Sequence, residues 1–178
     1  MFNPPHWFYE NTQFPTKEVD QVISKIKRIA RKPHDGEPML TTFFFDHNKR
    51  PDNIWIPKYE NIIKGMVKDM GLYSTSKYQY EFWAQYYNKD ASHHCHHHAG
   101  PEPVYGSCSW VHFIRTTGAK EFVFSNKEGD YYTPKQDEGD IIIFPSYLWH
   151  QVMPNKTNSE RFVVAGNFWF IYLPENGQ

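Results

Sequence analysis

The sequence predicts a mainly β fold with N-terminal helices, a sandwich or barrel of short strands preceded by helical scaffold. Three observations point there. Apolar positions repeat with helical spacing up to Gly71, then give way after Tyr73 to short aromatic or β-branched runs separated by turns. Aromatic residues make up 18% of the chain, with 14 Phe, 12 Tyr and 6 Trp, which suits strand faces better than a helical bundle. At 178 residues the chain is long enough for one full core and short for two. A single domain over residues 1–178 is therefore expected, with 1–72 as arm and supporting helices and 73–178 as the strand-rich core.

Composition narrows the function classes. A net charge of −1 gives no electrostatic footprint for non-specific binding of nucleic acid. No run approaches the roughly 18–20 apolar residues of a membrane span. The opening Met1-Phe2-Asn3-Pro4-Pro5-His6-Trp7 has neither the basic nor the apolar region of a secretory signal, so a cytoplasmic location is expected. Two cysteines, Cys95 and Cys108, do not make a disulfide framework and are expected to be free thiols.

Pro4, Pro5 and Pro15, with Trp7, Phe8 and Tyr9 between them, describe an extended arm that lays aromatics on the body. Thr16 can cap a helix. From Lys17 to Ala30, Val19, Val22, Ile23, Ile26, Ile29 and Ala30 follow helical spacing and form one buried stripe. Lys27, Arg28, Arg31 and Lys32 gather near its C-terminal end, where they complement the helix dipole as solvated charge. Residues 32–38 form a Pro- and Gly-containing loop, Met39 to Phe45 a strand, and Asp46 to Asn53 a turn; His34 and His47 are polar loop residues. A second helix runs from about Lys58 to Met70, with Tyr59, Ile62, Ile63, Met66 and Met70 inward and Gly71 as its stop.

Strands then dominate. Glu81 to Tyr87 places Trp83, Gln85 and Tyr87 on one face and Phe82, Ala84 and Tyr86 on the other. Further strands are expected over 107–114, 121–124, 131–132 and the apolar run Ile141-Ile142-Ile143-Phe144, which Pro145 interrupts. Leu148 to Val152 puts His150 on the same face as two apolar residues, and Arg161 opens the last strand, Phe162 to Tyr172.

The chemically distinctive stretch is Ser92-His93-His94-Cys95-His96-His97-His98, which holds five of the ten histidines. Such tracts can be purification tags or adventitious binders, but this one is internal, interrupted by Cys95, and set between strand patterns. In an extended strand His94, His96 and His98 share one face, and His93, Cys95 and His97 the other. His96 and His98 can converge on one metal, since imidazoles at i and i+2 suit iron, zinc, copper or nickel. His94-x-His96 has the same spacing. A third ligand has to come from elsewhere.

The order His96-x-His98, then Gly139-Asp140-Ile141-Ile142-Ile143-Phe144-Pro145-Ser146-Tyr147-Leu148-Trp149-His150, then Arg161-Phe162-Val163-Val164, resembles the iron(II)- and 2-oxoglutarate-dependent oxygenases. It looks most like members common in bacteriophage and marine microbial genomes; for a phage-encoded chain the expected compartment would be the host cytoplasm. The resemblance spans about residues 80–170. It implies a double-stranded β-helix, a cupin-like jelly roll, with His96, His98 and His150 as metal ligands and Arg161 anchoring the distal carboxylate of 2-oxoglutarate. Fe(II), 2-oxoglutarate and O2 are the expected cofactor and co-substrates, and the expected outcome is substrate hydroxylation.

Elementary chemistry agrees with those roles. Three protein ligands leave three octahedral positions, room for a chelating 2-oxo acid and oxygen. A guanidinium matches a carboxylate bidentately and stays charged in a poorly solvated pocket. Two departures from the family pattern stand out. The usual carboxylate of the H-x-D/E pair is replaced by His98, although Glu102 in the following loop could supply an oxygen ligand. Where Ser or Thr often follows the arginine by two residues, Val163 stands, so His112, Tyr87 or Gln85 is expected to supply the missing contact. Competing readings are a three-His dioxygenase without 2-oxoglutarate and a non-enzymatic metal-binding jelly roll. The primary substrate is not encoded in any motif.

Overall fold

The computed structural model describes residues 2–29, 39–70, 77–98 and 107–171. Ala30, His34, Gly71, Glu102 and Tyr172 lie outside the described residues. The elements are β1 (Trp7–Asn11), α1 (Thr16–Ile29), β2 (Leu40–Thr41), α2 (Ile56–Asp69), β3 (Lys77–Tyr87), β4 (His93–His96), β5 (Cys108–Arg115), β6 (Phe122–Ser125), β7 (Tyr131–Tyr132), β8 (Asp140–Pro145), β9 (His150–Val152) and β10 (Arg161–Ile171). They form two antiparallel sheets, ordered β1-β8-β5-β10-β3-β2 and β4-β9-β6-β7. This is the mainly β jelly roll with N-terminal helices that the sequence led us to expect.

Period-2 alternation divides the core into two layers. Phe82, Ala84, Trp110, Ile114, Ile141, Ile143, Phe162, Val164 and Phe168 face outward from the larger sheet onto both helices. Their alternating neighbours Tyr87, Val111, Phe113, Ile142, Phe144 and Val163 face inward, onto Phe122, Phe124 and Val152 of the smaller sheet. The site lies on this inner side. Because β8 is covered on both faces, it reads as an unbroken apolar run.

The helices bury their predicted stripes. In α1, Val19, Val22, Ile23 and Ile26 are buried, each worth about 1.5–3 kcal/mol. Ile29, expected inside, is exposed because the helix ends there. The cap also differs: the Pro15 carbonyl accepts from the Val19 N–H at 3.1 Å, so Pro15 holds the cap position and Thr16 the first turn. In α2, Tyr59, Ile62, Ile63, Met66 and Val67 are buried.

The arm becomes a strand, β1, paired with β8, and Trp7 and Phe8 remain about half exposed. The strand expected over 39–45 shrinks to β2. Thr42 turns the chain away by accepting from the Ala84 N–H at 2.9 Å and donating to buried Asp52 at 3.0 Å, which leaves Phe43 and Phe44 on the surface.

Gly166 marks where β10 has no room. A Cβ there would meet the Glu81 carbonyl oxygen at 2.5 Å and two carbons of the Trp110 ring at 2.5 and 2.6 Å. Neither backbone nor a fully buried indole can yield cheaply. Gly166→Ala is expected to cost at least the roughly 1–3 kcal/mol typical of overpacking, measured as a fall in the urea midpoint. An unchanged midpoint would mean the two strands separate more easily than this contact implies.

His112 belongs to the outer layer and not to the inner face. Its ring packs edge-on against Phe14, 5.0 Å between centroids. The Thr12 carbonyl can only accept, so Nε2 donates to it at 2.8 Å and Nδ1 accepts from the Tyr59 hydroxyl at 2.9 Å. Burial pushes its pKa down to about 4 from 6.5. Between those values the unfolded chain holds the extra proton. The residue's contribution is therefore complete above pH 6.5 and lost as pH falls towards 4, about 3 kcal/mol over the window. Urea unfolding of wild type and His112→Gln at pH 7 and 4.5 should show a shallower pH dependence in the variant; parallel curves would refute the assignment.

Candidate metal centre

His96 and His150 face each other as Cα partners across the β4–β9 pair, with ring centroids 4.4 Å apart. His98 lies just beyond β4. Its N–H donates to the Ser146 carbonyl at 2.8 Å, and its ring centroid sits 4.9 Å from that of His96 and 5.2 Å from that of His150. One ligating atom from each of His96, His98 and His150 falls within 4.8 Å of the others, a spread that could hold a metal ion.

The ring orientations suit ligation. His96 Nδ1 bonds the His94 carbonyl and His150 Nδ1 the Leu148 carbonyl, each at 2.8 Å. A carbonyl cannot donate, so each Nδ1 carries the proton and each Nε2 keeps the lone pair directed at a ligand; the backbone fixes the tautomer. Burial, reinforced by the neighbouring imidazoles, holds the pKa of His98 down to about 4 and that of His150 well below its usual value. His98 and His150 are therefore neutral at pH 7, as metal ligands must be.

The Phe144-Pro145-Ser146 segment has a structural task as well. Ser146 Oγ bonds Ser109 Oγ at 3.0 Å, and Ser109 bonds Asn167 Oδ1 at 2.8 Å. This chain ties the turn after β8 to β5 and β10, and the Ser146 carbonyl in turn holds the backbone of His98. Ser146 had no role in the sequence reading, although its place in the segment was the available signal.

Arg161 is 1% exposed and lines the same pocket as His96, His98 and His150, together with Trp83, Gln85, Val111, Phe122 and Val163. Its Cζ lies 5.2 Å from the Tyr87 ring centroid and 5.7 Å from that of Phe113, so two aromatic faces hold the guanidinium. Both Nη1 and Nη2 are buried and, among the described residues, lack a hydrogen-bond partner. Burial depresses the pKa of Arg161, and the Tyr87 and Glu121 side chains oppose the shift. Glu121, which the sequence did not single out, is buried nearby, and its Oε2 has no hydrogen-bond partner among the described residues.

The pocket encloses about 20 Å³, room for one water. Anything larger requires the lining side chains to swing aside. Exposed aromatics flank it: Phe43 packs on Trp83, which lies 5.8 Å from His98, and Trp149 lies 4.4 Å from His97.

Two expectations need correction. His93 does not point away from the site. Three steps on β4, from His93 to His96, span only two on β9, from Val152 to His150, and this bulge brings His93 onto the pocket side. Strict alternation could not reveal that. His112 cannot assist a ligand of Arg161, because it lies on the opposite face of its sheet. Gln85 does line the pocket, and its Oε1 accepts from the Tyr87 hydroxyl at 3.1 Å.

Residues 104–167 match the family model described as "Putative 2OG-Fe(II) oxygenase"; the matched part holds His150 and Arg161 and leaves out His96 and His98. The resemblance to the 2OG-Fe(II) oxygenases stands. Fe(II) and 2-oxoglutarate are that family's cofactor and co-substrate. Solved structures that share the fold include a Pseudomonas putida prolyl-4-hydroxylase, with 14% identity over 93% of this chain and 91% of that one and a TM-score of 0.61. A viral collagen prolyl hydroxylase from Paramecium Bursaria Chlorella virus-1, in complex with 2-oxoglutarate, gives 14% identity, coverage of 93% and 96%, and a TM-score of 0.61. The α-ketoglutarate-dependent carbocyclase SnoK from nogalamycin biosynthesis gives 9% identity, coverage of 96% and 83%, and a TM-score of 0.65. At these identities the likeness is one of fold. No curated protein sequence matches the chain. Among the described residues, no helix is long and apolar enough to cross a membrane, and both cysteines are free, Cys95 exposed and Cys108 buried.

Proposed function

We propose that the chain is a non-haem iron(II)- and 2-oxoglutarate-dependent oxygenase that couples oxidative decarboxylation of 2-oxoglutarate to hydroxylation of a substrate. The observation that carries this reading is the buried Arg161, whose Nη1 and Nη2 lack a hydrogen-bond partner among the described residues, in the pocket that three converging imidazoles also line. A guanidinium so placed is costly until an anion reaches it. A metal site alone would not need it.

His96, His98 and His150 would hold iron(II), and Arg161 would bind the distal carboxylate of 2-oxoglutarate. When bound, the pair supplies oxygen activation, with succinate and carbon dioxide as products. The protein's share is placement. Tyr87 and Phe113 hold the guanidinium in place over their rings. Gln85 is the cross-strand partner of Val163, as Tyr87 is of Arg161. Its carboxamide therefore stands beside the position of the missing hydroxyl and takes over that contact. Phe122, Val111, Val152 and Val163 keep water out of the pocket.

The reading is tested by anaerobic titration of the metal-free protein with Fe(II) and then 2-oxoglutarate, following the visible absorption of an iron–2-oxo-acid chelate, with succinate release measured after air is admitted. Both signals are expected without the primary substrate. Stoichiometric iron with neither signal would favour a three-His dioxygenase, and no iron at all a non-enzymatic jelly roll.

A further inference from the structure

The bulge in β4 gathers a second group of imidazoles. His93, His94 and His96 bring one ligating atom each within 4.8 Å of the others. Ring centroids are 5.1 Å apart for His93 and His94, 4.2 Å for His93 and His96, and 5.5 Å for His94 and His96. His94 is exposed, while His93 and His96 are half-buried, so this group opens towards solvent at the outer end of the tract. It shares His96 with the group made by His98 and His150.

We propose that His93, His94 and His96 form a second site for a divalent late-transition ion of the zinc and copper class, and that an ion there excludes one at His96, His98 and His150. Three imidazoles at the solvent edge suit such ions, whose affinity for nitrogen exceeds that of iron(II). Exclusion follows from His96. Its Nδ1 is committed to the His94 carbonyl at 2.8 Å, which leaves Nε2 as the ligating nitrogen, and one nitrogen serves one ion. Two dications on adjacent imidazole sets, with no carboxylate in either, would also repel. An outer ion therefore competes with iron loading by withdrawing His96, and the tract makes the centre sensitive to zinc. The exclusion rests on the inner set being a metal site; the outer site does not.

Zinc alone, titrated into the metal-free full chain with elemental analysis after gel filtration, tests both parts. Wild type should retain one ion, His98→Ala one through the outer set, His94→Ala one through the inner set, and the double variant none. Both substituted residues lie at least partly exposed, which spares the core, and unchanged circular dichroism would confirm folding. Cobalt(II) absorption adds a spectroscopic signature, because His98→Ala and His94→Ala should give different ligand-field bands. An empty His98→Ala protein overturns the outer site. Two ions in wild type overturn the exclusion. An empty His94→Ala protein removes the inner set and leaves the outer one standing. An ion retained by the double variant, or identical cobalt spectra for the single variants, overturns the two-site assignment.

Discussion

Arg161→Leu is expected to bind 2-oxoglutarate on the order of a hundredfold or more weakly than wild type, at roughly 1.4 kcal/mol per tenfold, while holding iron(II) almost as well. Among the described residues the guanidinium is the one cation lining the pocket, and its two Nη atoms have no hydrogen-bond partner. The same substitution should raise the melting temperature of the ligand-free protein. Stacking on Tyr87 and Phe113 returns about 0.5–2 kcal/mol to the arginine. Burying an ion costs several kcal/mol, and the nearby Glu121 carboxylate offsets only part of that. Desolvation should win. Adding 2-oxoglutarate should then stabilise the iron-loaded wild type by mass action and leave the variant unmoved. Equal affinity in the two proteins would remove Arg161 from the co-substrate site.

His150→Ala should abolish stoichiometric iron binding. His150 is buried, its tautomer is fixed by the Leu148 carbonyl, and it stands opposite His96. Loss of an outer partner that merely orients a ligand typically costs about 10–100-fold in metal affinity, and loss of the ligand should cost more. His97→Ala is the control, since that ring packs on Trp149. Iron measured after anaerobic desalting decides the matter. If His94→Ala empties the iron site and His98→Ala does not, the ligand register is the other one the tract allows.

Much of this was legible because it depends on local rules. The stripe of α1 from Val19 to Ile26 and the two faces of β3 are matters of period, and they emerge as read. The convergence of His96 with His98 follows from spacing, and that of His150 was implied by the family resemblance, through the segment that ends in it. What escaped depends on register between distant strands. The side of β4 on which His93 falls is set by the mismatch with β9, a count no single strand carries. His112 sits on a strand whose two faces are both buried, so alternation could not say which core it joined. Thr42 ends β2 because its hydroxyl finds Asp52 and the Ala84 N–H, partners that folding brings close. Glu121 became visible only once its neighbours were placed.

The strand made by Trp7–Asn11 lies at the rim of the larger sheet, bonded to β8 along Ile141, Ile142 and Ile143. Stripped of that neighbour, β8 would present a row of unpaired amides flanked by β-branched side chains, a template on which another molecule's strand could settle. The arm answers the hazard by pairing with that row. It also interrupts its own open side with an irregularity between Phe8 and Glu10, which a passing strand cannot match. Colloidal stability is what the arm guards: its loss is expected to be felt first as aggregation, with His96, His98 and His150 still brought together.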